Sequence, residues 1–123
     1  MYYKKIKLLN LLKEPLKKCS CEAVTGYYRD GFCVTGSEDV GKHIICCIMT
    51  DEFLRYSLSV GNNLVTSRGE FEGLIKGNKW CLCISRWIEA LKVNKAPPVI
   101  LEASHYEVLN YVDIHTLKNF AYQ

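Results

Sequence analysis

Seven cysteines and three histidines in 123 residues are the side chains with most chemistry to offer. A thiol nucleophile needs a base within reach and an electropositive, partly open setting. Cys33 lies in a glycine-rich stretch, just after Arg29-Asp30-Gly31 and ahead of His43. Cys81 follows Trp80 at the predicted start of an apolar helix, where the helix dipole favours a thiolate. Either serves as nucleophile or redox thiol with His43 or His105 as base, so Cys33, His43, Cys81 and His105 form the candidate catalytic set. Arg29, Asp30, Asp39 and Arg86 form the candidate ligand-binding set, with Arg29 placed to hold an anion through two parallel hydrogen bonds. Each also has a structural use. Asp30 fits an Asx turn, and Arg86 can pair with Glu89 three residues on.

Metal and nucleotide chemistry are less well supported. His43 and Cys46 have H-x-x-C spacing and Cys81/Cys83 form a C-x-C pair, but the paired C-x₂₋₄-C of structural zinc is missing. A zinc-binding domain is therefore an alternative reading, and no metal or cofactor is assigned. Gly36 to Lys42 matches a phosphate-binding loop up to its last position, where His43 replaces the magnesium-binding hydroxyl. A strand-like Ile44-Ile45 run follows instead of a helix, and Glu38 and Asp39 would repel phosphates, so nucleotide is not expected.

The thiols are expected to be reduced. Seven is an odd number, Cys46 and Cys47 are adjacent, and Cys19/Cys21 and Cys81/Cys83 are close pairs that seldom bridge one another. Lysines interrupt the apolar start of the chain, and no run approaches the roughly 18 apolar residues of a membrane helix. A cytoplasmic protein without membrane contact is expected. Residues 1–20 hold six lysines against Glu14, whereas the rest carries ten basic and twelve acidic residues. Residues 1–18 read as a basic arm or edge strand with a solvated face. Nucleic acid is not an expected partner, because no aromatic-basic motif continues into the body.

These side chains need elements to hold them. Imperfect alternation suggests a strand over residues 4–12, stopped by Glu14-Pro15. Gly26, Gly31, Gly36 and Gly41 mark a long turn-rich loop. Ile44 to Met49 is a continuous apolar run, expected to be a strand buried on both faces. Thr50-Asp51-Glu52 caps a following helix that ends at Gly61, and a second glycine-rich loop covers 61–79. A helix is expected from Trp80, with Ile84, Trp87, Ile88 and Leu91 on one face. Val99 to Leu101 should form another strand. Ser104-x-x-Glu107 reads as a capping box, and Asp113 caps a last helix bearing Ile114, Leu117 and Phe120. The expectation is one α+β domain over 1–123, a short sheet packed on a few helices with two long glycine-rich loops.

Several strings together resemble one family. They are Thr25-Gly26-Tyr27-Tyr28-Arg29-Asp30-Gly31-Phe32-Cys33-Val34-Thr35-Gly36, Asp39-Val40-Gly41-Lys42-His43, Cys46-Cys47-Ile48-Met49-Thr50, Trp80-Cys81-Leu82-Cys83 and Arg86-Trp87-Ile88-Glu89-Ala90. The chain is similar, from about Asn10 to Ala121, to an uncharacterised and mainly bacterial family, domain of unknown function twenty-two thirty-seven. The resemblance implies a small α+β domain without an assigned activity. Its cysteines match Cys19, Cys33, Cys46, Cys81 and Cys83, and its histidines match His43 and His105. The chain departs from it at Asn63, usually Asp, at Ser67 to Leu74, where a Pro-rich stretch is usual, and at Asn78-Lys79, usually Gly-Asp.

The expectation for function is a small-molecule-binding or enzymatic site built from Cys, His and Arg on the 26–43 loop and residues 80–83, close to Ser104-His105. The alternative is a structural or interaction module whose thiols merely pack, with a homodimer among its candidate assemblies.

Overall fold

The computed structural model describes residues 8–20 and 25–122. Its regular elements are strand β1 (His43–Ile48), helix α1 (Asp51–Ser59), strand β2 (Lys79–Cys83), helix α2 (Ile84–Lys92) and helix α3 (Ile114–Asn119). Short 3₁₀ turns cover Leu101–Ala103 and Tyr106–Asn110. The architecture is the expected α+β type, with β1 and β2 pairing as a two-stranded antiparallel sheet. No helix of the described residues is long and apolar enough to cross a membrane.

β1 is buried over Ile44 to Cys47, as its unbroken apolar run requires. Its register with β2 sets Ile45 opposite Leu82, Cys46 opposite Cys81 and Cys47 opposite Trp80. Side chains alternate across a strand, so the register sorts these pairs onto two faces. Ile45, Cys47, Trp80 and Leu82 join the main core with Phe53, Trp87, Val108 and Leu117. Cys46 and Cys81 join Cys19, Cys33 and Ala103 in a second buried cluster.

The helix α1 start is as read from sequence: Thr50 Oγ1 accepts the Phe53 N–H at 3.0 Å, with Asp51 and Glu52 in the first turn. The second helix begins later than expected. Trp80 to Cys83 is strand, and α2 starts only at Ile84. The tetrad is nearly all apolar, and pairing with β1 buries both its faces, which a helix seated on the core by one stripe would not do. The expected strand at Val99 reduces to isolated bridges with Cys47 and Ala121, and Leu101 already begins a 3₁₀ turn. Ser104 is not the cap of the next turn; His105 Nδ1 accepts the Glu107 N–H at 2.9 Å instead. Asp113 precedes α3 but makes no side-chain capping bond. Residues 4–7 of the proposed first strand lie outside the described residues, and Leu9 and Asn10 form only isolated bridges.

A two-stranded sheet leaves both outer edges to be satisfied. At the cysteine positions two hydroxyls do this. Ser104 Oγ accepts the Cys46 N–H at 2.8 Å on one edge, and Thr25 Oγ1 accepts the Cys81 N–H at 2.8 Å on the other. Both side chains are fully buried. Thr25→Val keeps the shape and strands one amide; Ser104→Ala strands the other. Each is expected to cost about 1–3 kcal/mol in urea unfolding, and because the two edges are separate, the double variant should show close to the sum.

Candidate functional site

The expectation of reduced thiols is corrected by the sulfur cluster. Cys19 is bonded to Cys46 and Cys33 to Cys81, with Cα–Cα distances of 5.8 and 5.2 Å. Neighbours in sequence do not bridge one another; each partner comes from a distant segment, 27 and 48 residues away. Cross-strand placement of Cys46 against Cys81 brings both bonds together, and the Cys19, Cys33 and Cys46 sulfurs lie within 4.8 Å of one another. As thiolates, these three with Cys81 would make the all-sulfur set that structural zinc takes; paired as disulfides, they present no thiolate to an ion. Cys33 and Cys81, the two thiols of the candidate catalytic set, thus hold each other, and a nucleophilic role for either requires that bond to open.

Among the described residues, two cysteines remain free. Cys47 is wholly buried in the main core, and burial pushes its thiol well above the usual range. Cys83 is only partly buried and lines a cleft of about 760 Å³. The cleft walls include Trp80, Phe71 and Leu64, with Arg29, Arg68, Arg86 and His43 around them and Glu70 as the opposing charge.

Each of these side chains has a visible mount. Arg29 sits at φ +57°, in the left-handed region that costs a non-glycine residue about 1–2 kcal/mol, and its guanidinium lies 5.8 Å above the Trp80 ring. Asp30 Oδ1 accepts the Phe32 N–H at 3.0 Å, which is the Asx turn that carries Arg29. Arg68 and Phe71 exchange both backbone hydrogen bonds, at 2.7 and 2.9 Å, across a tight turn through Gly69-Glu70. That miniature hairpin turns Arg68, Glu70 and Phe71 toward the cleft. Arg86 projects from α2 and pairs with Glu89 at 3.3 Å, the expected i, i+3 contact.

His43 is mounted from behind by Asp39, which is 1% exposed. Asp39 Oδ1 is 2.7 Å from His43 Nδ1, while Oδ2 accepts the His43 N–H at 2.9 Å and the Thr35 hydroxyl at 3.1 Å. Burial alone would raise this carboxyl. The backbone and ring hydrogen bonds from His43, the ring's charge and the Thr35 hydroxyl outweigh it and hold Asp39 below its ordinary 3.8.

The structure therefore divides the candidates. His43, Cys81, Arg29 and Arg86 line the cleft; Asp39 and Asp30 support it from behind; Cys33 is buried beneath Cys81. His105 is not a lining residue. It bridges Asn10, caps the 106–110 turn, and is held below its ordinary value by burial and by Lys42, against the opposing pull of Glu107. Of the lining residues outside the candidate sets, Cys83 and Arg68 bear most on the chemistry. Cys83 was signalled by its place two residues after Cys81; Arg68, a single arginine in a polar loop, carried no signal.

Residues 9–121 match the model of a family described as an uncharacterised protein conserved in bacteria, DUF2237. The chain belongs to this family. No curated protein matches the chain. The DUF2237 match spans every element that builds the cleft.

Two stability outcomes follow. Closing loops of 27 and 48 residues should contribute roughly 3.5–4 kcal/mol each, so Cys19→Ala/Cys46→Ala and Cys33→Ala/Cys81→Ala should each lower stability by several kcal/mol in urea unfolding, and dithiothreitol should do the same to wild type. For Asp39 the folded value is depressed, so its contribution is present above the ordinary value of 3.8 and lost as pH falls through the folded one. The stability gap between wild type and Asp39→Asn should therefore shrink below about pH 4 in acid titrations followed by circular dichroism.

Proposed function

We propose that the cleft binds a small anionic molecule, one carrying a carboxylate or phosphate beside an apolar group. The observation that carries this reading is the convergence of Arg29, Arg68 and Arg86 on one concave surface floored by Trp80 and Phe71. Like charges in one cleft repel, and nearby carboxylates offset them only in part. Glu89 engages Arg86, and Glu70 is the one acidic side chain in the lining. Arg29 and Arg68 have aromatic faces beneath them, at 5.8 Å over Trp80 and 5.4 Å over Phe71. Such stacking seats a guanidinium against the ring; Arg68 Nη2 also donates to the Asn63 carbonyl at 3.0 Å, which uses one of its five N–H donors. A planar fork of donors matches a carboxylate or phosphate oxygen pair, and the aromatic floor suits an adjoining apolar body.

This reading retains the Cys, His and Arg constellation of the 26–43 and 80–83 segments, with Arg68 added from the loop between them. Thermal unfolding against a panel of small carboxylates and phosphates tests it. A true ligand at a hundredfold excess over its Kd adds about 2.7 kcal/mol, a Tm rise on the order of 10 °C for a domain of this size. Arg68→Ala and Arg29→Ala should abolish the rise. If no anion raises Tm, or if both variants respond as wild type does, the reading fails.

A further inference from the structure

We propose that Cys83, His43 and Asp39 form a nucleophilic centre that transfers the acyl group of a small anionic ester or thioester; this deepens the anion-binding reading and rests on it. Strand pairing sets His43 opposite Cys83 at the end of the sheet. The register slips between His43 and Ile45, and such a bulge re-aims the side chain beyond it. Both side chains flank Gly41. A methyl group on its Cα would stand 3.0 Å from His43 Cε1, 3.5 Å from His43 Nε2 and 3.4 Å from Cys83 Sγ. Only the bare glycine leaves that space between them open.

The proton bookkeeping is consistent. An ionised carboxylate only accepts hydrogen bonds, so the 2.7 Å contact with Asp39 Oδ1 places a proton on Nδ1 and makes Nε2 the nitrogen that can take part as base. The Cys83 thiol donates to the Gly41 carbonyl at 2.7 Å and lies 3.1 Å from Ser85 Oγ. Proton transfer to His43 requires the thiol to leave the Gly41 carbonyl and turn toward the ring. Both residues line the arginine-bearing cleft, so an acyl group anchored by its anionic end would lie against the sulfur.

In the first step the Cys83 proton passes to His43 Nε2 and the sulfur bonds to the carbonyl carbon. The carbonyl electron pair moves onto oxygen, returns as the bond to the leaving group breaks, and His43 returns the proton to that group. In the second step water gives a proton to His43 and attacks the thioester carbon. The C–S bond breaks, and the proton goes back to Cys83. The sum is ester plus water to acid plus alcohol, with no oxidant or reductant consumed.

The test uses the intact chain without reductant, so that both disulfides stay closed. Iodoacetate and iodoacetamide are compared at neutral pH, with the labelled residue located by peptide mass, and 4-nitrophenyl hydrogen succinate is the acyl donor. Cys83 should label with both alkylating reagents, and His43→Gln, a partly exposed position, should slow both by about tenfold or more. Asp39→Asn should slow them likewise. Arg68→Ala should lower only the ratio of iodoacetate to iodoacetamide labelling. Intact mass should show one succinyl group on wild type and none on Cys83→Ser. Labelling of His43→Gln within twofold of wild type, or no succinyl adduct on Cys83, overturns the proposal. A rate that depends on His43 with no preference for iodoacetate would instead overturn the anion reading and leave the nucleophile in place.

Discussion

The pairing of Cys46 with Cys81 across the sheet is the constraint on which the rest of the molecule depends. It fixes the register of the two strands, because one residue of slip would move every side chain to the opposite face. It also places two sulfurs side by side on one face, where each takes a partner that precedes β1 in the chain, Cys19 or Cys33. Segment 25–42 has no helix or strand to hold it. Its backbone would otherwise keep much of its freedom, at roughly 1–2 kcal/mol per residue. Covalent bonds at Cys19 and Cys33 supply the ordering that regular hydrogen bonding supplies elsewhere. The loop that carries Arg29 and Asp39 is thus fastened to the strand that carries Cys81 and Cys83.

The sheet has a division of labour between its faces. One face sends Ile45, Cys47, Trp80 and Leu82 into an apolar core under α1, α2 and α3. The other carries the disulfide cluster and ends at the cleft. Cys81 and Cys83 are two residues apart and so point the same way, one sealed in a bond beneath the cleft wall and one left as a thiol at its surface. Trp80 serves both sides, packing against Phe71 at 5.5 Å and underlying Arg29. Stability and site geometry therefore share residues, and a change at Trp80 would be felt in both.

The elements that were legible in the sequence are those with local causes. The apolar run of β1 and the Thr50 cap of α1 need no distant partner to be recognised. Trp80 to Cys83 reads locally as helix, because it runs without a break into the helical stripe of Ile84, Trp87, Ile88 and Leu91. Only pairing with β1, more than thirty residues earlier, makes it strand. Disulfide partners are likewise non-local, and adjacency in the sequence argued against bridges that form between separate segments. His105 looked like a base by residue type, yet its Nδ1 is occupied as a backbone acceptor. Nothing local in the sequence signals the pairing of His43 with Cys83, which lies beside a bulge between strands far apart in the chain.

Electrostatics explains why the buried acid and the exposed bases lie where they do. Asp39 is sequestered from water behind His43 and spends its hydrogen bonds on the His43 backbone, the His43 ring and Thr35. None of its negative charge is presented to the cleft, so it orients the imidazole without repelling an anion. Arg29 and Arg68 are arranged the opposite way, each over an aromatic ring at the cleft, with Arg68 tied by one N–H to the Asn63 carbonyl and Arg86 paired with Glu89. Exchanging these placements would defeat both purposes: an exposed aspartate would neutralise the cleft, and a buried arginine without a partner would cost several kcal/mol. The sign of the cleft and the tautomer of its histidine are therefore set by one choice, which charge the fold buries at the turn before β1.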